Sequence, residues 1–245
     1  MFDATVREGV LRLRRPETRW LSTGWDGGRS RGDAAYNVSV PKAFDRTDLG
    51  AYRDERLARA GFISESDAGG DGDPPTLFTG VAMEHARGAR FGPVVAYATV
   101  GLSNPAMLPM DPASGSDGSV DGDAEKSPRR PGTVNLIVGT TRRLAAGASA
   151  NLVAVAAEAK AATLLATAGV PGTTSDAVVV GDDPTGEPAA FSGSATPVGA
   201  AARACVRDAV RASLRSRYPD GDVPGPAADA EHGVVADERT EVFKP

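Results

Sequence analysis

Two charged side chains stand in the middle of a long apolar segment. Glu158 and Lys160 interrupt residues 148–168, which are otherwise rich in Ala, Leu and Val. At about 100° per residue along a helix, the two side chains lie roughly 200° apart and cannot pair with each other. Because an unpaired buried charge is very costly, each side chain needs its own partner. Those partners form either two structural ion pairs or part of a catalytic site.

Further polar residues stand where apolar runs begin or end. Asp176 follows three hydroxyl residues and precedes a continuous apolar run, a position that suits either a functional site or a turn. Asn135 interrupts another apolar run, so its amide needs partners if it is buried. Ser103 and Asn104 end a third run, where a tight turn is the alternative. Carboxylate, hydroxyl and amide side chains are the types that serve enzymes as general bases, nucleophiles and hydrogen-bond donors.

The composition argues against several other kinds of chemistry. The net charge of −5 disfavours non-specific nucleic-acid binding, which needs clustered Lys and Arg. Cys205 is the only cysteine, so it forms no internal disulfide, and we expect it to be a small buried hydrophobe. His85 and His232 are the only histidines, and we expect no metal site. His85 is either a base or a satisfied loop histidine, whereas His232 is expected to be exposed.

The chain carries no pattern typical of export. Its first twenty residues hold several charges and no apolar core, so we expect no secretory signal. We also expect no apolar run long enough to span a bilayer, which favours the cytoplasm. Arginine far outnumbers lysine, and the loops are rich in Asp and Gly, a composition that suggests a high-salt cytoplasm.

The periodicity predicts an α/β (or α+β) fold in a single domain. A strand-rich N-terminal half argues against a purely parallel sheet, so we expect a mixed β-sheet with packed helices. The segment 148–168 is apolar all round, which predicts a buried helix. The predicted strands are Val6–Leu13, Arg19–Thr23, Asn37–Val40, Thr76–Met83, Val94–Leu102, Val134–Val138 and Asp176–Val180. The predicted helices are Asp45–Ala60, Ala148–Ala168 and Pro197–Tyr218, the last with Thr196 as its N-cap.

The domain is expected to span residues 1–218 with acidic loop insertions near 64–75 and 110–131, and residues 219–245 to form a mostly disordered tail.

Several segments, taken in order, resemble the adenosylcobinamide amidohydrolase (CbiZ) family, and its archaeal members in particular. They are Leu21–Gly28 (LSTGWDGG), Thr99–Pro105 (TVGLSNP), Gly132–Val138 (GTVNLIV) with Glu158–Lys160 (EAK), Gly172–Val180 (GTTSDAVVV) and Phe191–Gly199 (FSGSATPVG). Together they cover residues 19–218. The chain departs from the family pattern at Ala157, where a Thr is usual, and after Asn37, where a His is frequent. The second departure puts in doubt any mechanism that needs a histidine at that point.

The resemblance implies hydrolysis of the amide between the corrin ring system and the aminopropanol arm, which releases adenosylcobyric acid during corrinoid salvage. Some relatives also act on complete cobamides. The candidate catalytic residues are Glu158, Asp176, Thr174 and Lys160. The candidate substrate-binding residues are Ser22, Gly27, Gly28, Asn37, Ser103, Asn104, Asn135 and Thr173.

Several alternatives stay open from the sequence. Gly27 and Gly28 either let the backbone approach the ligand or form only a hairpin turn. Trp20 and Trp25 lie either against the apolar corrin face or in the core. No cofactor is expected beyond the corrinoid substrate, and a homo-oligomer is an open expectation. The alternative functions are a non-catalytic corrinoid-binding protein and an amidase of the same fold with another substrate.

Overall fold

The structure, a computed structural model, describes residues 1–41, 44–63, 73–111, 132–223, 233–236 and 238–245. The predicted acidic insertions fall mostly outside these residues, as does His232. The strands are β1 (Asp3–Arg7), β2 (Val10–Ser22), β3 (Gly28–Ser39), β4 (Thr76–Thr79), β5 (Arg87–Phe91), β6 (Val94–Val100), β7 (Pro105–Met107), β8 (Val134–Thr140), β9 (Arg143–Leu144), β10 (Gly172–Thr173), β11 (Ala177–Asp182), β12 (Pro188–Ala189) and β13 (Val234–Val235). The helices are α1 (Leu49–Arg59), α2 (Ala146–Ala168) and α3 (Pro197–Arg217), with a 3-10 turn at Met83–His85.

One large mixed sheet organises the domain, as the sequence predicts. Its strand order is β4-β3-β2-β11-β8-β6-β5, with β1 paired to the edge of β2. The pairs β8–β11 and β3–β4 are parallel, whereas β2–β3, β2–β11 and β6–β8 are antiparallel. The described part of the chain therefore forms a mixed α/β domain.

Both faces of the central strands are covered. Helices α2 and α3 pack on one face, where Leu136 and Val138 of β8 meet Leu152 and Cys205 in the largest core cluster. The alternate residue Ile137 points to the other face and packs with Trp20. Cys205 is 1% exposed, which confirms that it is a small buried hydrophobe.

The sheet is curved, so that β4, at one end of the strand order, approaches β8 in the middle of the sheet. β4 and β8 are separated in the strand order by three other strands. Nevertheless, the Asn135 side-chain amide in β8 donates to the carbonyl oxygen of Phe78 in β4 over 3.0 Å. Sheet twist and curvature thereby bring polar residues from both halves of the chain to one end of the curl.

Several element boundaries differ from the predictions. The predicted strand Val6–Leu13 is a hairpin of β1 and β2, because Glu8 and Gly9 take the left-handed conformation with φ of 47° and 72°. Part of the tail expected to be disordered forms β13, which pairs with Ala106 and Met107 of β7. The two long helices begin and end within two residues of the predicted bounds. The N-cap is confirmed, since the Thr196 hydroxyl accepts from the Gly199 amide over 3.1 Å.

The prediction that α2 is buried on all sides is wrong. Leu152 and Leu164 lie in the core, but Ala154, Glu158 and Leu165 face solvent. The expectation that no apolar run could span a bilayer is also wrong, because α2 meets that criterion by length and composition. Core helices pass the same test, and α2 packs against the sheet and α3.

Candidate active site

The buried charge pair of the site joins Lys160 to Asp176. Lys160 extends from the middle of α2, and its Nζ donates to the carboxylate of Asp176, which directly precedes β11. The two side chains are only 12% and 11% exposed. The chain passes this pair at Gly172, where an added Cβ would lie 2.5 Å from Asp176 Oδ2 and 2.8 Å from Lys160 Nζ. A larger residue at position 172 would therefore have to displace one of the two charged groups.

Asp176 also anchors the surrounding backbone. Its carboxylate accepts from the amide N–H of Val134 over 2.8 Å and of Thr173 over 3.1 Å. The Thr173 hydroxyl and Lys160 supply two further donors. A carboxylate offers about four acceptor positions, so these four donors occupy all of them. Asp176 thus ties the starts of β8, β10 and β11 to α2 and has no free lone pair with which to act as a base.

Two buried amides connect the halves of the curled sheet. Asn135 donates to the side-chain oxygen of Asn37 over 3.0 Å, and Asn37 donates to the Thr99 hydroxyl over 2.9 Å. The Thr133 hydroxyl donates to the oxygen of Asn135 over 3.1 Å. Both asparagines are at most 2% exposed. The expectation that a buried Asn135 needs partners is confirmed, and the network fixes strands β3, β6 and β8 relative to each other.

A pocket of about 300 Å³ opens beside these two groups. Its walls come from the turn after β2, from β4 and from the start of β11. We call it the polar pocket, and its lining residues are Thr23, Gly24, Trp25, Leu77, Phe78, Asn135, Ser175, Asp176 and Ala177. The turn reaches β4 only because residue 24 is glycine, since an added Cβ would lie 2.4 Å from Leu77 Cδ2. The predicted residues Asn135 and Asp176 thus share one pocket.

Two hydroxyl groups that the sequence analysis did not select also line the polar pocket. Thr23 Oγ1 accepts from the Val178 amide over 2.9 Å, so part of its bonding capacity is used by the backbone. Ser175 is exposed, and its hydroxyl lies 3.5 Å from the carbonyl oxygen of Gly132, at the limit of a hydrogen bond. Ser175 therefore has the more available hydroxyl. Its place between Thr174 and Asp176 was visible in the sequence, but nothing there showed which hydroxyl faces a cavity.

Glu158 lies elsewhere, so the expectation that Glu158 and Asp176 approach one cleft is wrong. The side chain of Glu158 is 63% exposed and pairs with Arg203 of α3 at 3.2 Å. Arg203 lines a larger groove of about 640 Å³ between α2 and α3, whose other walls are mainly Ala, Thr and Arg. The polar pocket instead combines hydroxyl, amide, carboxylate and aromatic groups.

The candidate residues Ser22, Gly27 and Gly28 do not line the polar pocket but belong to the turn beside it. Ser22 is 7% exposed, and its hydroxyl accepts from the Gly24 amide over 3.1 Å. Gly27 fits tightly into the turn, where an added Cβ would lie 2.6 Å from the carbonyl oxygen of Ser22, and Gly28 has a φ of 114°. These two glycines therefore shape the turn that carries Trp25.

The segment at the end of β6 packs against the start of β8. An added Cβ at Gly132 would lie 2.3 Å from Ser103 Oγ and 2.7 Å from the Asn104 amide nitrogen. The carbonyl oxygen of Asn104 accepts from the amide of Thr174 over 3.1 Å. Neither Ser103 nor Asn104 lines the polar pocket. They hold the segment that contains Thr174 and Ser175.

The two tryptophans have different surroundings, and His85 lies away from the polar pocket. Trp20 is 2% exposed in the core and donates to the Gly32 carbonyl oxygen over 3.0 Å, whereas Trp25 lines the polar pocket. His85 Nδ1 lies 3.1 Å from Ser216 Oγ, away from the pocket lining. Within the residues that the structure describes, no group of three or more His, Cys, Asp or Glu side chains is arranged to hold a metal ion.

Comparison with known proteins gives one consistent result. The family model described as adenosylcobinamide amidohydrolase matches residues 3–221. A protein of Halobacterium salinarum named adenosylcobinamide amidohydrolase is 58% identical over 245 residues, which cover 100% of both chains. The chain belongs to the adenosylcobinamide amidohydrolase family.

Proposed function

We propose that this protein hydrolyses adenosylcobinamide at the amide that joins the corrin ring system to its aminopropanol arm. Water adds across the C–N bond, the carbonyl carbon becomes the carboxylate of adenosylcobyric acid, and aminopropanol leaves as the amine. Family membership over nearly the whole chain supports the reaction. The structural observation that carries it is the polar pocket, which Ser175 lines together with Asp176 of the ion pair and the aromatic side chain of Trp25. We further propose that the enzyme works in the cytoplasm on incomplete corrinoids.

Ser175 is the catalytic residue of this proposal. Ser175 lines the pocket, and within the described residues its hydroxyl makes one long contact, so we propose that it meets the scissile amide. Two hydrogen bonds hold the segment that contains Ser175. The Thr173 amide donates to the Asp176 carboxylate, and the Thr174 amide donates to the carbonyl oxygen of Asn104. Lys160 and Asp176 are positioning residues, because their bonds are directed at each other and at the backbone. A site fixed in this way needs no reorganisation when the substrate binds.

The proposal requires no metal ion. The cation beside the pocket is the ammonium group of Lys160, which already neutralises Asp176. The reacting groups are then a hydroxyl, water and the amide. A corrinoid is the substrate, and we propose no separate cofactor.

The direct test measures aminopropanol released from adenosylcobinamide. Wild-type protein should release it, and Ser175→Ala should lower the rate by roughly 100-fold, the usual cost of removing one group that contacts the reacting centre. Thr174→Ala is the matched control, because Thr174 is exposed on the same segment and does not line the pocket. Equal losses in both variants would remove Ser175 from the reaction.

The same assay separates the alternative functions. A protein that binds adenosylcobinamide but releases no aminopropanol would be a corrinoid-binding protein. A protein inert toward adenosylcobinamide but active on another member of an amide panel would be an amidase with a different substrate. Either result would overturn the proposed reaction.

A further inference from the structure

Aromatic rings cluster at the polar pocket, where Trp25 and Phe78 line the cavity and Phe44 and Tyr52 pack against Phe78. Only 5% of the chain is aromatic, yet four rings meet here. Trp25 and Phe44 lie 6.0 Å and 6.4 Å from Phe78, and Tyr52 lies 6.0 Å from the same ring, between centroids. We call Trp25, Phe44, Tyr52 and Phe78 the aromatic wall. Trp25 is its most exposed member, at 38%, whereas Tyr52 is buried.

The position of Trp25 is fixed by its neighbours. The turn that carries it is packed against Leu77 through Gly24. On the other side stands Gly50 of α1, where an added Cβ would lie 3.6 Å from Trp25 Cη2, an ordinary van der Waals distance. The indole thus has α1 and Phe78 as neighbours and keeps more than a third of its surface open. A partly packed and exposed ring loses little conformational entropy when a ligand covers it.

The size of the pocket limits what part of the substrate enters it. Small-molecule pockets typically measure about 300–1,000 Å³, and the polar pocket, at about 300 Å³, stands at the lower end. A corrin macrocycle with its amide side chains is much larger than a drug-sized ligand. The pocket therefore accommodates the aminopropanol arm and its amide, and the macrocycle must remain outside at the mouth.

We propose that Trp25 binds the corrin macrocycle at the mouth of the pocket while the arm reaches Ser175. The apolar surface of the ring system matches the exposed indole, and aromatic contacts of this kind supply affinity without requiring a particular hydrogen bond. Trp25 is then a binding and specificity residue that acts on substrate affinity more than on the chemical step. This inference rests on the proposed function for the identity of the ligand.

The test compares Trp25→Ala with wild type in two measurements. The first is the split between KM and kcat for adenosylcobinamide. The second is the Kd of adenosylcobyric acid, which retains the macrocycle and lacks the scissile arm. We expect roughly a tenfold rise in both KM and Kd, with a smaller change in kcat, because loss of an aromatic contact weakens binding on this order. Trp25→Phe should recover most of the affinity, since it restores an apolar ring in the same place.

Phe91→Ala is the matched control, because Phe91 is a 66% exposed aromatic residue that does not line the polar pocket. It should leave KM and Kd unchanged. Unchanged KM and Kd in Trp25→Ala, or equal changes in the control, would overturn the inference. Thermal unfolding of each variant shows whether lost binding reflects lost folding. If Trp25→Ala is unstable, KM and Kd of Trp25→Phe show whether an apolar ring at this position binds the macrocycle. If wild type binds adenosylcobyric acid through Trp25 but releases no aminopropanol, the proposed reaction fails while the binding surface stands.

Discussion

Glu158 and Lys160 are two residues apart on the same helix and have opposite surroundings. Lys160 is 12% exposed and holds Asp176 at the start of β11. Glu158 is 63% exposed and meets Arg203, itself 41% exposed, across the groove between α2 and α3. Exposed ion pairs contribute about 0–1 kcal/mol, whereas removal of one partner from a buried pair costs about 3–5 kcal/mol. Glu158 and Lys160 look equivalent in the sequence, but removal of Lys160 should therefore cost several times more free energy of unfolding than removal of Glu158.

The largest expected effect is the loss of one partner of the buried pair. Lys160→Met leaves the Asp176 carboxylate without its cation, and Asp176→Asn leaves the Lys160 ammonium without its anion. Each should lower the free energy of unfolding by about 3 kcal/mol or more and reduce turnover, because the Ser175 segment loses its anchor. Chemical denaturation and the aminopropanol assay measure the two effects.

A double variant sharpens this result. Lys160→Met combined with Asp176→Asn removes both charges, so its loss of stability should be smaller than the sum of the losses in the two single variants. It should still turn over slowly, because Asn keeps only one of the two carboxylate oxygens that accept from the Val134 and Thr173 amides. Additive losses of stability in the double variant would show that the two residues act separately.

A smaller effect is expected when the space beside the pair is filled. Gly172→Ala places a Cβ within 2.5 Å of Asp176 Oδ2, which should cost about 1–3 kcal/mol through crowding of the pair. Gly147→Ala is the control, because nothing lies within 4 Å of a Cβ built there, in the first turn of α2. It should leave stability equal or raised by up to about 1 kcal/mol. The comparison is made by thermal or denaturant unfolding, and equal behaviour of the two variants would contradict the tight fit at Gly172.

Glu158→Gln should change little. Its partner is an exposed arginine, so the free energy of unfolding should fall by less than about 1 kcal/mol, and turnover should stay near that of wild type. Raising the salt concentration should shrink the difference further, because exposed pairs are screened. A rate loss of 100-fold in a stably folded Glu158→Gln protein would show that Glu158 takes part in catalysis and would contradict its assignment as an exposed structural charge.

Removal of metal ions should have the smallest effect. Lys160 supplies the positive charge beside Asp176, so turnover after treatment with a chelator should equal that of untreated enzyme. Activity that is abolished by the chelator and restored by zinc would show that a metal is part of the site. The lysine would then no longer account for the positive charge at the pocket.

Local patterns predicted much of the fold. The Thr-Pro start of α3 and the glycine after α2 set helix ends because they act through capping and backbone conformation within a few residues. The largely apolar run Val134–Val138 predicted a strand, and the structure confirms it as the first part of β8. The hairpin at Glu8 and Gly9 was missed, because Glu8 is not a residue type that marks a left-handed turn.

The candidate site was predictable only in part, for a physical reason. Lys160 was recognised as a charge that needs a partner, since desolvation of a charge depends on residue type and local burial, and Asp176 was recognised as a candidate site residue. The sequence alone left open that they are each other's partner, that Glu158 turns to a different groove and that Ser175 faces a cavity. Those facts depend on how the sheet curls and how α2 is rotated on it, which are set by packing between residues distant in the chain. Residue chemistry and spacing therefore determined which groups needed partners, and the tertiary structure alone decided which partners they found.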